Sequence, residues 1–233
     1  MKRFYKQVDV ARAQSGGWQI TLDGRLVKTQ GGAQQSVPSK QLVNAMAKEW
    51  DNQSEELDPK AFILRDLTDY ALDIVAPDPT KTISTLATYA ETDTLCYRGD
   101  PDDAVFARQD SEWEPILASI EAREDVRFTR ISGIIHKAQP AETVAKLRAL
   151  MTALDPFALA GLQTFSSLAT SLCIGLEALQ SDADAQSLWH AANLEELWQE
   201  ELWGVDPEAK ERRDARGREF VAAFDWLQLA RAQ

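Results

Sequence analysis

Hydrophobic and polar positions alternate with two different periods along this chain, and the change falls near residue 60. Before it, Phe4–Val10 and Trp18–Leu22 are short runs of aromatic and β-branched residues joined by Gly16-Gly17, the pattern of paired strands. Asp23-Gly24 follows at once, a strong two-residue hairpin signal, and leads into a third run over Arg25–Thr29. Gln35–Val37 could add a short strand before Pro38. Ser39 then supplies an N-cap for a helix through Trp50 whose apolar stripe is Leu42, Val43, Met46, Ala47 and Trp50.

Beyond residue 60 the period is helical. Helices are expected over Asp66–Val75, Pro79–Asp93 and Asp102–Glu124, the last kinked or divided by Pro115. Val126–Ile135 is β-like, either a lone hairpin or an added strand. Further helices are expected over Pro140–Leu154, Pro156–Leu179, Asp182–Trp203 and Pro207–Leu229, each opening on a proline or an acid. The fold class this predicts is α+β, with a small β-rich N-terminal domain (residues 1–60) and a larger helical C-terminal domain (residues 61–233).

Phe157–Leu176 carries no charge over a length that could cross a bilayer. Its three serines, two threonines and Gln163, with no basic or aromatic flank, instead predict a central buried helix and no membrane insertion.

Composition narrows the function. A formal net charge of -12 argues against nucleic acid, which needs clustered Lys and Arg on one face. The densest basic stretch, Lys210–Arg218, is interrupted by acids and reads as a solvated helix face. Cys96 and Cys173 match no metal or redox spacing, so two packed thiols in a reducing compartment are expected. The N-terminus shows neither an apolar signal region nor an amphipathic presequence, which predicts a cytoplasmic bacterial protein.

Catalytic patterns are absent. His136 and His190 have no second ligand at metal spacing, and no phosphate loop or nucleophile elbow occurs. No cofactor is expected. A carboxylate-pair hydrolase stays as an alternative, since such a pair is defined in space and the chain has 37 acids.

What stands out is Asn193–Gly204, with four carboxylates, two tryptophans and no base. On a helix, Leu194, Leu197, Trp198 and Leu202 share a core-facing stripe. Trp189, Glu196 and Trp203 recur at intervals of seven on the other side, beside Gln199 and Glu200. Two carboxylates at i and i+4 repel by about 0.3 kcal/mol unless a cation comes between them, so an arginine of this chain or another is expected there. Tryptophan is enriched at interface hot spots. Trp18, Trp50, Trp113 and Trp198 fit core stripes, whereas Trp189, Trp203 and Trp226 are left as candidates for contact.

Several motifs stand in order along the chain. They are Arg3-Phe-Tyr-Lys6, Leu22-Asp-Gly-Arg25 with Val27-Lys-Thr29, Glu49-Trp50 with Gln53, and Thr92–Arg98. Gln109 with Trp113 and Pro115, Leu154-Asp-Pro-Phe157, and Glu196 with Gln199, Trp203 and Gly204 complete the series. Together they resemble the F1-ATPase assembly chaperones that bind the free F1 α subunit. The resemblance implies a non-enzymatic protein that holds the unassembled α subunit and shields its subunit interface until it pairs with β. It implies a β-containing N-terminal part and a helical C-terminal part, and relatives in mitochondria and α-proteobacteria. Glu200 and Glu201 are more acidic than that family's pattern, which leaves Glu196 as the sharper position. The partner-binding residues expected are Trp189, Glu196, Gln199, Glu200 and Trp203, on a monomer. A permanent structural subunit of a complex is a further alternative.

Overall fold

The computed structural model describes residues 1–232 except Ser15 and Ile134. Three antiparallel strands open the chain: β1 (Val8–Arg12), β2 (Trp18–Leu22) and β3 (Arg25–Leu26), in the order β1-β2-β3. Val8 pairs with Leu22 and Arg12 with Trp18. The Asp23-Gly24 turn between β2 and β3 needs left-handed backbone at both residues, and their φ values are +48° and +78°. The run expected from Phe4 pairs only from Val8 onward. Its first half instead lies over helix α1 (Lys40–Asp51), where the Tyr5 hydroxyl donates to the Trp50 carbonyl at 2.6 Å. Val37 forms a bridge with Trp18. Ser39 caps α1 by accepting from the Leu42 N–H at 3.0 Å, and Leu42, Val43, Met46 and Trp50 are buried.

Helix α2 (Ile63–Tyr70) runs into a π-helical turn, Ala71–Val75, where one regular helix is expected. Its acids hold the loop after β3. Asp69 accepts from the Gln30 N–H at 3.1 Å and from Gln35 Nε2 at 2.6 Å, and Asp73 from Thr29 Oγ1 at 2.6 Å and the Gly31 N–H at 2.7 Å. A π turn shifts which residues share a face, and here it falls where Asp69 and Asp73 reach the loop after β3. A Cβ on Gly31 would come within 2.7 Å of the Asp73 carboxyl carbon. Gly31→Ala is therefore expected to lower stability by about 1–2 kcal/mol, read as an earlier urea midpoint with an unchanged slope.

Helices α3 (Pro79–Glu91), α4 (Phe106–Glu124) and α5 (Ala141–Thr152) follow. Pro115 lies inside α4, which is one continuous helix. The β-like stretch 126–135 does not form a hairpin, and its Ile134 lies outside the described residues. Side chains satisfy its backbone instead: the Phe128 N–H donates to Glu121 and the Thr129 N–H to Gln139. Among its described residues β5 (Ile131–Ser132) pairs, in parallel with β4 (Tyr97–Arg98).

The single helix expected over 156–179 is two, α6 (Pro156–Ala169) and α7 (Leu172–Ala178). Thr170 between them takes left-handed backbone (φ +52°), and Ser171 caps α7 through the Ile174 N–H. Buried Asp93 fixes this break by accepting from Ser171 Oγ and the Cys173 N–H, each at 2.8 Å, and from the Leu95 N–H at 3.0 Å. Among the described residues no helix is long and apolar enough to cross a membrane. Asp182–Trp203 likewise divides into α8 (Ala185–Ala192) and α9 (Leu194–Trp203), and α10 (Pro207–Arg231) closes the fold.

The chain forms two compact units. One comprises residues 1–79, 155–160 and those from Ala222 onward, the other 80–154 and 161–221. The first thus groups the sheet, α1, α2 and the π turn with the end of α10. There Trp226 is fully buried, stacks on Phe157 at 5.4 Å and donates to Thr68 Oγ1 at 3.0 Å. It is a core residue, not the candidate contact that Asp225 and Gln228 beside it suggested. With a small β region and a mostly helical remainder, the fold is α+β as expected.

Candidate functional site

The acidic tryptophan segment lies in the second unit. Asp184 caps α8 by accepting from the Gln186 and Ser187 N–H groups at 2.9 and 3.3 Å, and these bonds with the Ser187 hydroxyl hold its carboxyl below the usual range. The helix then breaks at Asn193, whose side-chain amide donates to the Trp189 carbonyl at 2.7 Å and so competes with the helical ladder. The break ends the continuous 3.6-residue phase that would have put Trp189 and Glu196 on one stripe.

Two neighbouring helices grip α9. From α4, Gln109 donates to Glu195 at 2.5 Å, Arg108 pairs with Glu201 at 2.7 Å, and the Arg108 guanidinium lies 5.3 Å from the Trp198 ring. The Arg108 contact is also what holds the Glu201 carboxyl below its ordinary range. From α10, Arg213 reaches between Glu196, at 3.1 Å, and Glu200, met by two bonds of 2.8 Å. The cation expected between this carboxylate pair therefore comes from the chain itself. Arg213 is only 8% exposed. The stretch read as a solvated charged face thus turns one arginine inward, and its hydrogen bonds to Glu200 raise the guanidinium pKa.

One and two turns further along α10 the packing becomes apolar. Trp189 lies over Gly217, where an added Cβ would meet its Nε1 at 2.6 Å, and 5.6 Å from the Phe220 ring. Gly217 is thus needed for close approach.

The expected site residues accordingly separate. Trp189 is half-buried on α10. Glu196 and Glu200 come together at Arg213, with side chains 41% and 15% exposed. Gln199 is exposed. Trp203 stands 78% exposed at the end of α9, where Gly204 (φ +90°) ends the helix and donates to the Glu200 carbonyl. Leu202 and Val205 flank it, 54% and 56% exposed. The periodicity assigns Leu194, Leu197, Trp198 and Leu202 to a core stripe, but of the four only Leu194 is buried; Leu197 and Trp198 are half-buried and Leu202 is exposed. Val205 escaped notice because it lies past the helix, in the link to Pro207. The resulting apolar tip sits among Glu201, Asp206 and Glu208, all exposed.

Elsewhere, the chemistry is structural. Cys96 and Cys173 are free and buried, and burial pushes both thiols well above their usual range. His136 accepts from or donates to the Tyr97 hydroxyl at 3.0 Å, and His190 lies 3.7 Å from Glu112.

Residues 2–121, just over half of the chain, match the model of a family described as ATP12 chaperone protein. The mitochondrial atp12 protein of Schizosaccharomyces pombe is 26% identical over 222 residues, covering 90% of this chain and 76% of its own. The crystal structure of Atp12 from Paracoccus denitrificans is similar with a TM-score of 0.93 and 30% identity, over 99% of this chain and 98% of its own. A solved protein of Agrobacterium tumefaciens is similar with a TM-score of 0.91 and 34% identity, over 97% and 85%.

Proposed function

The chain belongs to the ATP12 chaperone family, which assembles F1-ATPase, and from there we propose that it binds the unassembled F1 α subunit and covers its interface until β replaces it. The observation that carries this reading is the apolar tip Leu202–Trp203–Val205, held out by a helix that Arg108 and Arg213 fasten to its neighbours. A subunit awaiting its neighbours exposes a large apolar patch. A small apolar tip ringed by acids can enter such a patch and still be released, because its total buried area is modest. The acids attract basic groups around the patch and speed encounter. No catalytic step enters this role. The protein acts as a monomer in the bacterial cytoplasm, a placement supported by its free thiols and by similarity to two bacterial proteins.

Co-expression with the α subunit alone tests the reading: the α subunit should become soluble and co-purify. Trp203→Ala should reduce that capture by about tenfold or more while shifting stability by less than about 0.5 kcal/mol, since the ring is mostly in water. Undiminished capture by this variant would remove the tip from the interface. An α subunit that stays aggregated with the wild-type chaperone would refute the role itself. Glu196→Lys is a poorer probe, because it replaces a carboxylate paired with Arg213 at 3.1 Å by a second cation.

A further inference from the structure

The N-terminal unit carries a second open surface, opposite in charge to the tip. A cavity of about 510 Å³ opens beside β3. Its floor is firm: Tyr5 and Trp50 are buried there, edge to face at 5.5 Å, with the Tyr5 hydroxyl bonded to the Trp50 carbonyl. Its rim is apolar and wet, with Phe4 62% and Leu26 51% exposed. Two cations line it, Arg25 and Lys28, both exposed. Among the described residues neither has a carboxylate within 4 Å. The acid in the lining, Asp23, is engaged with the Lys6 and Gln7 N–H groups at 2.8–3.2 Å. In a chain of net charge -12, an apolar groove lined by two cations and one acid, Asp23, which also feels the Arg25 charge, is locally positive.

β3 is also an edge. The Val27 N–H donates to the Ile20 carbonyl, so in an antiparallel ladder the preceding residue, Leu26, turns its N–H and C=O away from β2. An outward backbone pair beside an apolar groove is the arrangement to which an extended segment adds as a further strand.

We propose that this groove binds an extended segment of the client subunit in which apolar side chains alternate with carboxylates. The backbone of that segment pairs with Leu26, its apolar side chains lie between Phe4 and Leu26, and its carboxylates, on the opposite face, meet Arg25, while Lys28, two residues past Leu26, adds positive charge at the end of the groove. The proposal rests on the client reading above and adds a second contact of opposite charge to the first.

Two measurements separate the proposal from that reading. In the first, a fluorescein-labelled hexapeptide alternating valine and glutamate, and its valine–lysine counterpart, are titrated with the full chain. The glutamate peptide should bind and the lysine peptide should not. The double variant Arg25→Glu/Lys28→Glu should weaken glutamate-peptide binding by about tenfold or more. Both residues are exposed and neither is ion-paired within 4 Å, so this variant should keep the fold; an unchanged melting curve checks that. In the second, the same variant should capture co-expressed α subunit less well, and the Leu26 amide should exchange more slowly in the wild-type complex. If the wild type captures the α subunit, but the double variant captures it equally and neither peptide binds, the groove proposal falls and the client reading stands. If the wild type fails to capture the α subunit at all, the client reading falls, and the client as occupant falls with it. A change of oligomeric state in the double variant would assign the groove to a second copy and overturn the proposal.

Discussion

Replacing Asp93 by alanine is expected to lower stability by about 4 kcal/mol and the melting temperature by about 10 °C. The carboxylate is fully buried, and removing it strands the Ser171 hydroxyl, the N–H groups of Leu95 and Cys173, and the weaker Cys173 thiol. Each lost acceptor in a dry site costs about 1–3 kcal/mol, reduced somewhat by local relaxation. Asparagine is a poor substitute. One oxygen accepts from Leu95 and Ser171 and the other from Cys173, so an amide NH2 in either orientation faces a backbone N–H. About half the alanine cost should remain.

The comparison with asparagine also has a pH signature. Burial is the largest influence on Asp93 and raises its pKa above the ordinary 3.8, against the pull of its donors. A folded-state pKa above the unfolded value means that the fold binds the proton more tightly. The stability this adds is present below 3.8 and is lost as pH rises through the folded value. The advantage of wild type over Asp93→Asn should therefore be greatest at acid pH and shrink on going to neutral, seen in paired urea titrations. A gap that widens with pH would mean the carboxylate is stabilised chiefly in its charged form.

Arg213→Met is the second large effect, about 2–3 kcal/mol. The guanidinium is almost wholly buried, and without it Glu196 and Glu200 face each other one turn apart. Their unequal exposure predicts unequal relief. Glu196 can turn to water, whereas Glu200, 15% exposed, cannot do so without moving α9. Glu200→Gln in the Arg213→Met background should recover more stability than Glu196→Gln does in a double-mutant cycle. Equal recovery would show that the pair is solvated in solution and that Arg213 acts by packing alone. Because the same arginine fastens the helix that carries Trp203, Arg213→Met should also reduce client capture, even well below its melting temperature.

How much of this was legible beforehand follows the range of the interactions. Ser39, Asp23-Gly24 and the start of α10 at Pro207 act through near neighbours, and the corresponding cap, hairpin and helix are where the pattern puts them. The need for a cation between Glu196 and Glu200 was equally local. Its source was not: Arg213 sits 13 residues on, in a stretch whose alternating charges look solvated. The breaks at Thr170 and Asn193 were hidden too. One depends on Asp93, 78 residues away from Ser171; the other rests on a side-chain amide bonding only four residues back, a local signal that the unbroken apolar periodicity masked. Trp226 was misjudged because its partner Thr68 is 158 residues distant. Several residues that carry the family resemblance, among them Tyr5, Asp93, Gln109 and Trp113, turn out to hold the fold together, while Phe4 and Trp203 from the same motifs stand exposed.

The tie between Asp93 and Ser171 has a further meaning for the order in which the chain is made. At about 5–20 residues per second, Asp93 leaves the ribosome several seconds before the uncharged stretch that ends near Leu176. The acceptor thus precedes its donor in synthesis, and where the two meet in the fold the helix stops at Ala169. Fourteen helical residues span about 21 Å, short of a bilayer's hydrocarbon core, whereas the full uncharged run would reach across it. The carboxylate of Asp93 thus also sets a length: the break it holds leaves each helical piece of the uncharged run too short to span a bilayer.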